Sequence, residues 1–383
     1  MANAFVKPNA IINTILGMLQ EDLVLPYYVW KDGLGDFAGK HNDTITIRIP
    51  QPTIAHTRQL RATGADRLMQ VSDLTETTID VKLTDVVYNL IALTDEEREL
   101  DVRSFGVDVL PRQVRSVSEQ LEFGVADTIK NAPYQQILSV ADDAIYNGVI
   151  RARRQLNDAK VPREGRFLLV GSAVEEALLL DDRFVRYDSA GEPGASRLQT
   201  ARIGRIANYE VVVVDTIPHG AAFLFHPTAF VMVTRAPGKP FSNVVATSAV
   251  ASENGVALRW LGDYDSSLTT DRSLVDTWCG YKAVVDPDPG FVRATRLQLA
   301  ITSAGTDLGN TGAVTAAAGA NNTRQLTLID DHDDDRAWEA TWDSSDPTKA
   351  TVDAGLVTGV AAGTTTITAV VGGVTKTWEL TVA

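Results

Sequence analysis

The chain has 383 residues, 44% of them hydrophobic and 22% charged, and a net charge of −14. That suits two or three soluble domains with real cores, and the acidic balance excludes a general nucleic-acid binder, which needs a concentrated Lys/Arg surface. A lone cysteine, Cys279, excludes an intrachain disulfide and a cysteine-based zinc site.

The apolar run Ala10–Leu19 reads as a helix, Ala10–Gln20. Asn13 and Thr14 interrupt it, and it lacks the flanks of a signal peptide. No stretch reaches the roughly 18 apolar residues of a membrane span, so the expectation is synthesis in the cytoplasm and no membrane partner. After an irregular aromatic segment, Thr44–Ile49 alternates strictly, with Ile45, Ile47 and Ile49 on one face, and Thr78–Thr84 does the same with Ile79, Val81 and Leu83. The two runs can pair as one long ribbon, barely stable alone, which should lie on something else. Between them Arg58, Arg61 and Arg67 face Asp66 and Asp73, a slightly basic tip on an acidic protein.

From Val107 to Ile129, apolar residues at 107, 110, 114, 117, 121, 125 and 129 define one stripe of a long helix, with Asp108 placed to cap it and Pro111 in its first turn. Gln136–Asn157 reads as a second amphipathic helix. RFLLVG (166–171) is a buried strand running into GSAVEEALLL, where Ser172 and Glu175 have capping-box spacing. Strands follow at 211–214, 221–225, 230–234, 256–260 and 279–285, an α+β pattern. The prolines and glycine of DPDPGFVRATR (286–296) predict a linker. Beyond it the text turns to short Thr, Val, Ala and Gly runs, and residues 297–383 hold four Lys/Arg against eleven Asp/Glu, half the net charge.

Nothing in the sequence argues for an enzyme. None of the five histidines stands at metal-ligand spacing to another, and GLGDFAGK (33–40) fails the phosphate-loop pattern at Leu34 and His41. Ser172 lacks the Gly-x-Ser-x-Gly frame of a nucleophile elbow and reads as a helix cap. Cys279, in an apolar strand, reads as a small buried hydrophobe. The cluster DDHDDD (330–335) has no EF-hand spacing, so a solvated, self-repelling loop is expected ahead of an ion site. The reading assigns no catalytic residue, no metal and no cofactor.

Trp342, the SSDP turn (344–347), Ala350-Thr351-Val352, Gly355–Gly359, Gly363 and Ile367-Thr368-Ala369 closely resemble the bacterial immunoglobulin-like domain of group 2, over most of residues 297–383. About seven short strands there, among them RQLTLI, WEATW and TWELTV, have the pattern of a two-sheet sandwich, a display or adhesion module. The front part resembles, in the succession KHNDTITIRIP, the helical rod, RIGRIANYEVVVVDTIP, AAFLFHPTAFVMVT and ENGVALRWLGDYDSSLTTDRSLVDTWCGYKAVV, the major capsid proteins of tailed phages, in the podovirus coat-protein branch. No inserted telokin-like domain, usual in that branch, is evident.

The resemblance implies an α+β HK97-like capsid fold at 1–290: an N-arm (about 1–43), extended loop (44–93), spine helix (107–131), axial domain (140–240) and closing strands (250–285). A linker (291–296) and the all-β Ig-like sandwich (297–383) would follow. It implies a structural protein of the virion capsid, self-assembled as hexamers and pentamers around double-stranded DNA, with scaffolding and portal proteins as partners. The Ig-like tail would hang outside toward a host-surface glycan or protein, and deleting it should leave particles that still form. Arg58, Arg61 and Arg67 would meet Glu96, Glu97 and Glu99 of an adjacent subunit. An encapsulin-type nanocompartment shell and, less favoured, a surface adhesin are the alternatives.

Overall fold

The computed structural model describes Ile15 and residues 23–31, 44–50, 55–61, 63–69, 71–72, 76–97, 109–181, 204–238, 247–253, 256–286, 290–302, 305–316 and 321–383. The Ala10–Gln20 helix, the 33–40 segment, Asp108, Asp73 and Glu99 lie outside these residues, Ile15 excepted. In chain order the elements are β1 (Thr44–Pro50), β2 (Glu76–Lys82), β3 (Asp85–Thr94), α1 (Leu110–Lys130), β4 (Ile137–Val140), α2 (Ile145–Asp158), β5 (Phe167–Val170), α3 (Ser172–Leu180), β6 (Arg205–Ile206), β7 (Tyr209–Val213), β8 (Ala221–Phe225) and β9 (Phe230–Arg235). There follow β10 (Thr247–Glu253), β11 (Val256–Asp265), β12 (Thr270–Ala283), β13 (Val285–Asp286), β14 (Phe291–Val292), β15 (Ala294–Leu299), β16 (Asp307–Gly309), β17 (Thr323–Gln325), β18 (Thr327–Ile329), β19 (Thr341–Ser344), β20 (Ala350–Asp353), β21 (Leu356–Gly359), β22 (Gly363–Val371) and β23 (Val374–Val382).

The chain divides into two units, residues 1–133 with 227–292 and residues 134–226 with 293–383. In the first, β10-β11-β12-β3 form an antiparallel sheet, and β9 pairs with the second half of the long β12. The helix α1 lays its stripe Leu110, Val114, Val117, Leu121, Val125 and Ile129 toward β12 and β3, all six side chains buried, with Pro111 in the first turn as expected. A buried polar link fixes its register: the Gln113 amide donates to the Ser273 carbonyl (2.9 Å), and the Ser273 hydroxyl, which donates to Gln113 Oε1 (2.9 Å), accepts from Trp260 Nε1 (3.0 Å). The two alternating runs do pair as one ribbon, Ile45 opposite Val81 and Ile47 opposite Ile79. Its base is covered: Val81 packs with Val231, Val233 and Val284 beside Trp30, Ile79 and Leu83.

In the second unit, β4-β15-β8-β5-β7-β6 form a mixed sheet with α2 and α3 against it. Ile145, Val149, Ala152 and Leu156 bury one stripe of α2. The expected helix 136–157 is therefore half right: its first residues are strand β4, because Ile137–Val140 pair in parallel with Arg296–Leu299. Arg166 is buried by clamping the turn before it, donating to the carbonyls of Pro162 (2.6 Å) and Val161 (2.7 Å) and to the Tyr209 hydroxyl (3.1 Å). The capping box at 172–175 is absent: Gly171 is the N-cap, and the Ser172 hydroxyl turns to His219 Nδ1.

Two boundaries change. An axial domain running to 240 fails at 227, since β9 joins β12 while β8 stays in the six-stranded sheet. The predicted linker 291–296 is structure: β13 and β14 pair antiparallel, Asp286 opposite Phe291, and β15 is an interior strand between β4 and β8.

The C-terminal sandwich is built from β16–β18, β17–β21–β20 and β19–β22–β23. Val314, Leu326, Ala350, Val357, Ile367, Leu380 and Val382 fill its core beside Trp342 and Trp378. Gly372 and Gly373, at φ +55° and +84°, make the two-residue turn that joins β22 to β23, a conformation other residues adopt at a cost. RQLTLI splits between two sheets, and in WEATW only Thr341 and Trp342 are strand.

Candidate assembly surfaces

The ribbon ends in a tip, described over 55–61, 63–69 and 71–72, that is anchored at its base and bare at its end. Leu60 is 96% exposed and Val71 90%, with Leu68 and Met69 at 77%. Arg58, Arg61 and Arg67 are exposed among them, and Arg58 Nη1 donates to the Arg67 carbonyl at 3.0 Å, closing the tip on itself. Four large apolar side chains thus stand in water with three guanidiniums beside them, an exposed apolar patch of uncommon size for one loop.

The acidic counterpart lies at one end of the five-stranded sheet. Beyond β3, the Thr94 amide donates to Glu97 Oε2 (3.0 Å) and the Glu97 amide to Thr94 Oγ1 (3.3 Å), a capping box that holds Glu97 in place while Glu96 is exposed. The β11–β12 hairpin adds what the sequence reading missed: Asp263, Asp265 and Asp271 come to the same end, since Asp265 and Thr270 pair next to Thr94. Tyr264 donates its hydroxyl to Asp95 Oδ2 at 2.9 Å. Arg272 offsets part of the charge through Asp263 (2.6 Å) and Asp265 (3.3 Å). The available signal was the three aspartates in DYDSSLTTD, a turn sequence that returns its acids to one edge. Among the described residues no ion pair joins the tip arginines to Glu96 or Glu97 within the chain.

The candidates for chemistry resolve otherwise. Ser172 Oγ and His219 Nδ1 are in hydrogen-bond contact, yet the amides of Ala173 and Val174, the donors an oxyanion would need, already donate to the His219 carbonyl (3.1 and 3.2 Å). Cys279 is fully buried; desolvation pushes its thiol up and keeps it protonated.

The acidic cluster is the largest correction. It is a solvated loop only in part: Asp331, Asp333 and Asp335 are exposed, while Asp330 and Asp334 are buried. Asp330 accepts the amides of His332 (2.9 Å) and Asp334 (3.0 Å) and pairs with Arg336 (2.8 Å); Asp331 accepts from the amide and hydroxyl of Thr302; Asp335 accepts the amides of Leu328 and Ala337. Asp330, Asp331 and His332 offer atoms within 4.8 Å of one another, but their oxygens already serve amides, a hydroxyl and a guanidinium, so the geometry is that of a structural knot. Burial works to raise Glu339, and the Arg336 and Arg296 guanidiniums outweigh it and hold the carboxyl below its usual range; burial raises Asp334 despite its two amide donors. Glu339 therefore contributes stability that is present above the ordinary glutamate pKa, about 4.3, and lost as pH falls through its lower folded value, while Asp334 works in the opposite sense. Between about pH 5 and 3 the thermal midpoint of wild type should fall more than that of Glu339→Gln; equal slopes would remove Glu339 from the acid response.

Residues 86–295 match the family model described as phage capsid protein, and residues 313–382 that of the bacterial Ig-like domain (group 2). A chain from Mycobacterium phage Che8 superposes with a TM-score of 0.52 at 15% identity, covering 72% of this chain and 90% of its own. A capsid chain of cyanophage P-SCSP1u (0.49, 10%, 68% and 84%) and one from the mature capsid of bacteriophage PhiM1 (0.46, 12%, 67% and 82%) are also similar. No curated protein sequence matches the chain. The fold is thus the HK97-like architecture of phage shells, followed by an all-β Ig-like sandwich, and the role it defines is structural. The chain belongs to the phage capsid protein family.

Proposed function

We propose that this chain is the major head-shell subunit of a tailed phage, closing as hexamers and pentamers around double-stranded DNA, with its Ig-like fold on the outer surface. One observation carries the reading: a ribbon whose base is buried and whose tip leaves Leu60, Leu68, Met69 and Val71 in water. A surface of that kind is stable only when another copy covers it. The extended loop (44–93) would reach over a neighbour, α1 would be the spine, and the net charge of −14 would give an inner wall that lets packed phosphates slide. Scaffolding and portal proteins would be its partners in assembly, and a host-surface glycan or protein the target of the Ig-like fold.

The tip arginines would meet the acidic sheet end of the next copy, Glu96 and Glu97 joined by Asp263, Asp265 and Asp271; the Glu99 contact stays an expectation from sequence. Arg61→Glu should raise the concentration needed for assembly by up to about fivefold, the reach of an exposed ion pair, with the fold of the free subunit unchanged. Unchanged shell yield would refute that contact. Electron microscopy of purified protein tests the whole reading: closed polyhedral particles are expected, and nucleic acid inside particles from infected cells separates a head shell from an encapsulin-type compartment holding enzyme cargo. A monomer at every concentration and solution condition would sink both.

A further inference from the structure

We propose that the Ig-like fold is a fixed cover of the six-stranded sheet, held by a buried charged joint on which the sheet depends, and is not a separable appendage. The inference concerns the fold of one chain and stands apart from the shell reading. It begins with β15, an interior strand of that sheet, which leads straight toward the sandwich. Arg296 on β15 is only 2% exposed. It donates through Nη2 to Gln298 Oε1 (2.8 Å) and to Glu339 Oε2 (2.7 Å), and its guanidinium lies 4.8 Å from the Trp338 ring and 5.9 Å from Phe223 of β8.

From Glu339 the chain of charges continues to Arg336 (2.5 Å) and on to the buried Asp330 (2.8 Å). A second contact completes the joint. The two oxygens of Asp334 accept the backbone amides of His219 (2.6 Å) and Gly220 (2.7 Å), at the turn that leads into β8. Beside it, His332 Nε2 stands 3.6 Å from Asp142, which precedes α2.

Each side of the joint is incomplete without the other. Remove the sandwich and Arg296 keeps a buried guanidinium with no carboxylate, and two amides at a sheet turn lose their acceptors. Remove the sheet and Asp334 loses both amide donors, while Glu339 keeps Arg336 but loses Arg296. Leaving one member of a buried pair is among the most damaging changes a fold can undergo. Asp330 and Asp334, in a run that sequence alone reads as solvated, are acceptors this joint uses. In any assembly of identical copies, every Ig-like fold would then stand in one orientation relative to its sheet, and removing residues 297–383, which include half of β15, would disable the subunit.

Hydrogen exchange on the full-length chain decides the matter. In wild type the amides of His219 and Gly220 should exchange as slowly as those of β15. Asp334→Ala should speed exchange at least tenfold across 216–226 and 294–299 and lower the midpoint of that unit by roughly 5–15 °C. Asp334→Asn, which keeps one acceptor oxygen, should fall between, and Thr377→Ala on the exposed far strand should match wild type. Free-peptide exchange rates at 219–220 in wild type, or wild-type protection of both segments in Asp334→Ala, would overturn the proposal. Should Asp334→Ala prove insoluble, the wild-type rates and Asp334→Asn decide alone.

Discussion

Replacing Leu60, Leu68, Met69 and Val71 together with serine is expected to abolish closed shells at concentrations where wild type assembles fully, with the thermal midpoint of the free subunit within about 2 °C of wild type. The size of the effect follows from what is exposed. Fully burying one such side chain is worth about 1.5–3 kcal/mol, so half-burial of all four in an interface is worth about 3–6 kcal/mol per subunit. At about 1.4 kcal/mol per tenfold, that raises the assembly threshold by roughly 100-fold to 10,000-fold. The tip arginines contribute far less, since exposed ion pairs are usually worth about 0–1 kcal/mol and are screened by salt. Apolar cover, and not charge, should dominate assembly, with charge setting register. Light scattering against concentration reads this out; shells forming at the wild-type threshold would mean that the tip stays in water in the particle as well.

Gly124→Ala is expected to destabilise the first unit by about 2 kcal/mol, against the ordinary trend. In an exposed helix this change gains about 1 kcal/mol, because glycine is the poorer helix former. Gly124 sits in the middle of α1, and a Cβ there would lie about 2.5 Å from Cε2 and 2.6 Å from the hydroxyl oxygen of Tyr281, closer than non-bonded carbon atoms come. The Tyr281 backbone is held, in register with Met232 across β12 and β9 and beside Gly280, which is packed on the Lys82 carbonyl, so relief would have to come from the ring alone. Overpacking of this kind costs about 1–3 kcal/mol or more. With Tyr281→Ala in the background the sign should reverse and Gly124→Ala should become stabilising. A loss of equal size in both backgrounds would show that Tyr281 is not the cause. For a unit near 200 residues, the expected change in midpoint is about 4–8 °C.

Much of the architecture was legible from residues near one another in the chain. Alternation at 44–49 and 78–84 announced a ribbon and its pairing, because a period of two on both runs leaves one face to bury. Steps of three and four from 107 to 129 announced the long helix, and continuous apolar runs announced β5, β8 and β9. The basic tip was visible as well, and its exposure agrees with that reading. The hairpin acids Asp263, Asp265 and Asp271 were not, since nothing local says that a turn more than 160 residues away will close beside Thr94.

By itself, then, the sequence determined the elements whose burial repeats along their own length, the capsid and Ig-like family resemblance, and the want of any catalytic constellation to argue from. Tertiary structure alone decided that 294–299 is an interior strand and that Asp330, Asp334 and Arg336 are buried. Both depend on partners far along the chain: six residues become β15 only because β4 and β8 flank them, and clustered carboxylates can leave water only where Arg296, Arg336 and the amides of 219–220 replace its hydrogen bonds.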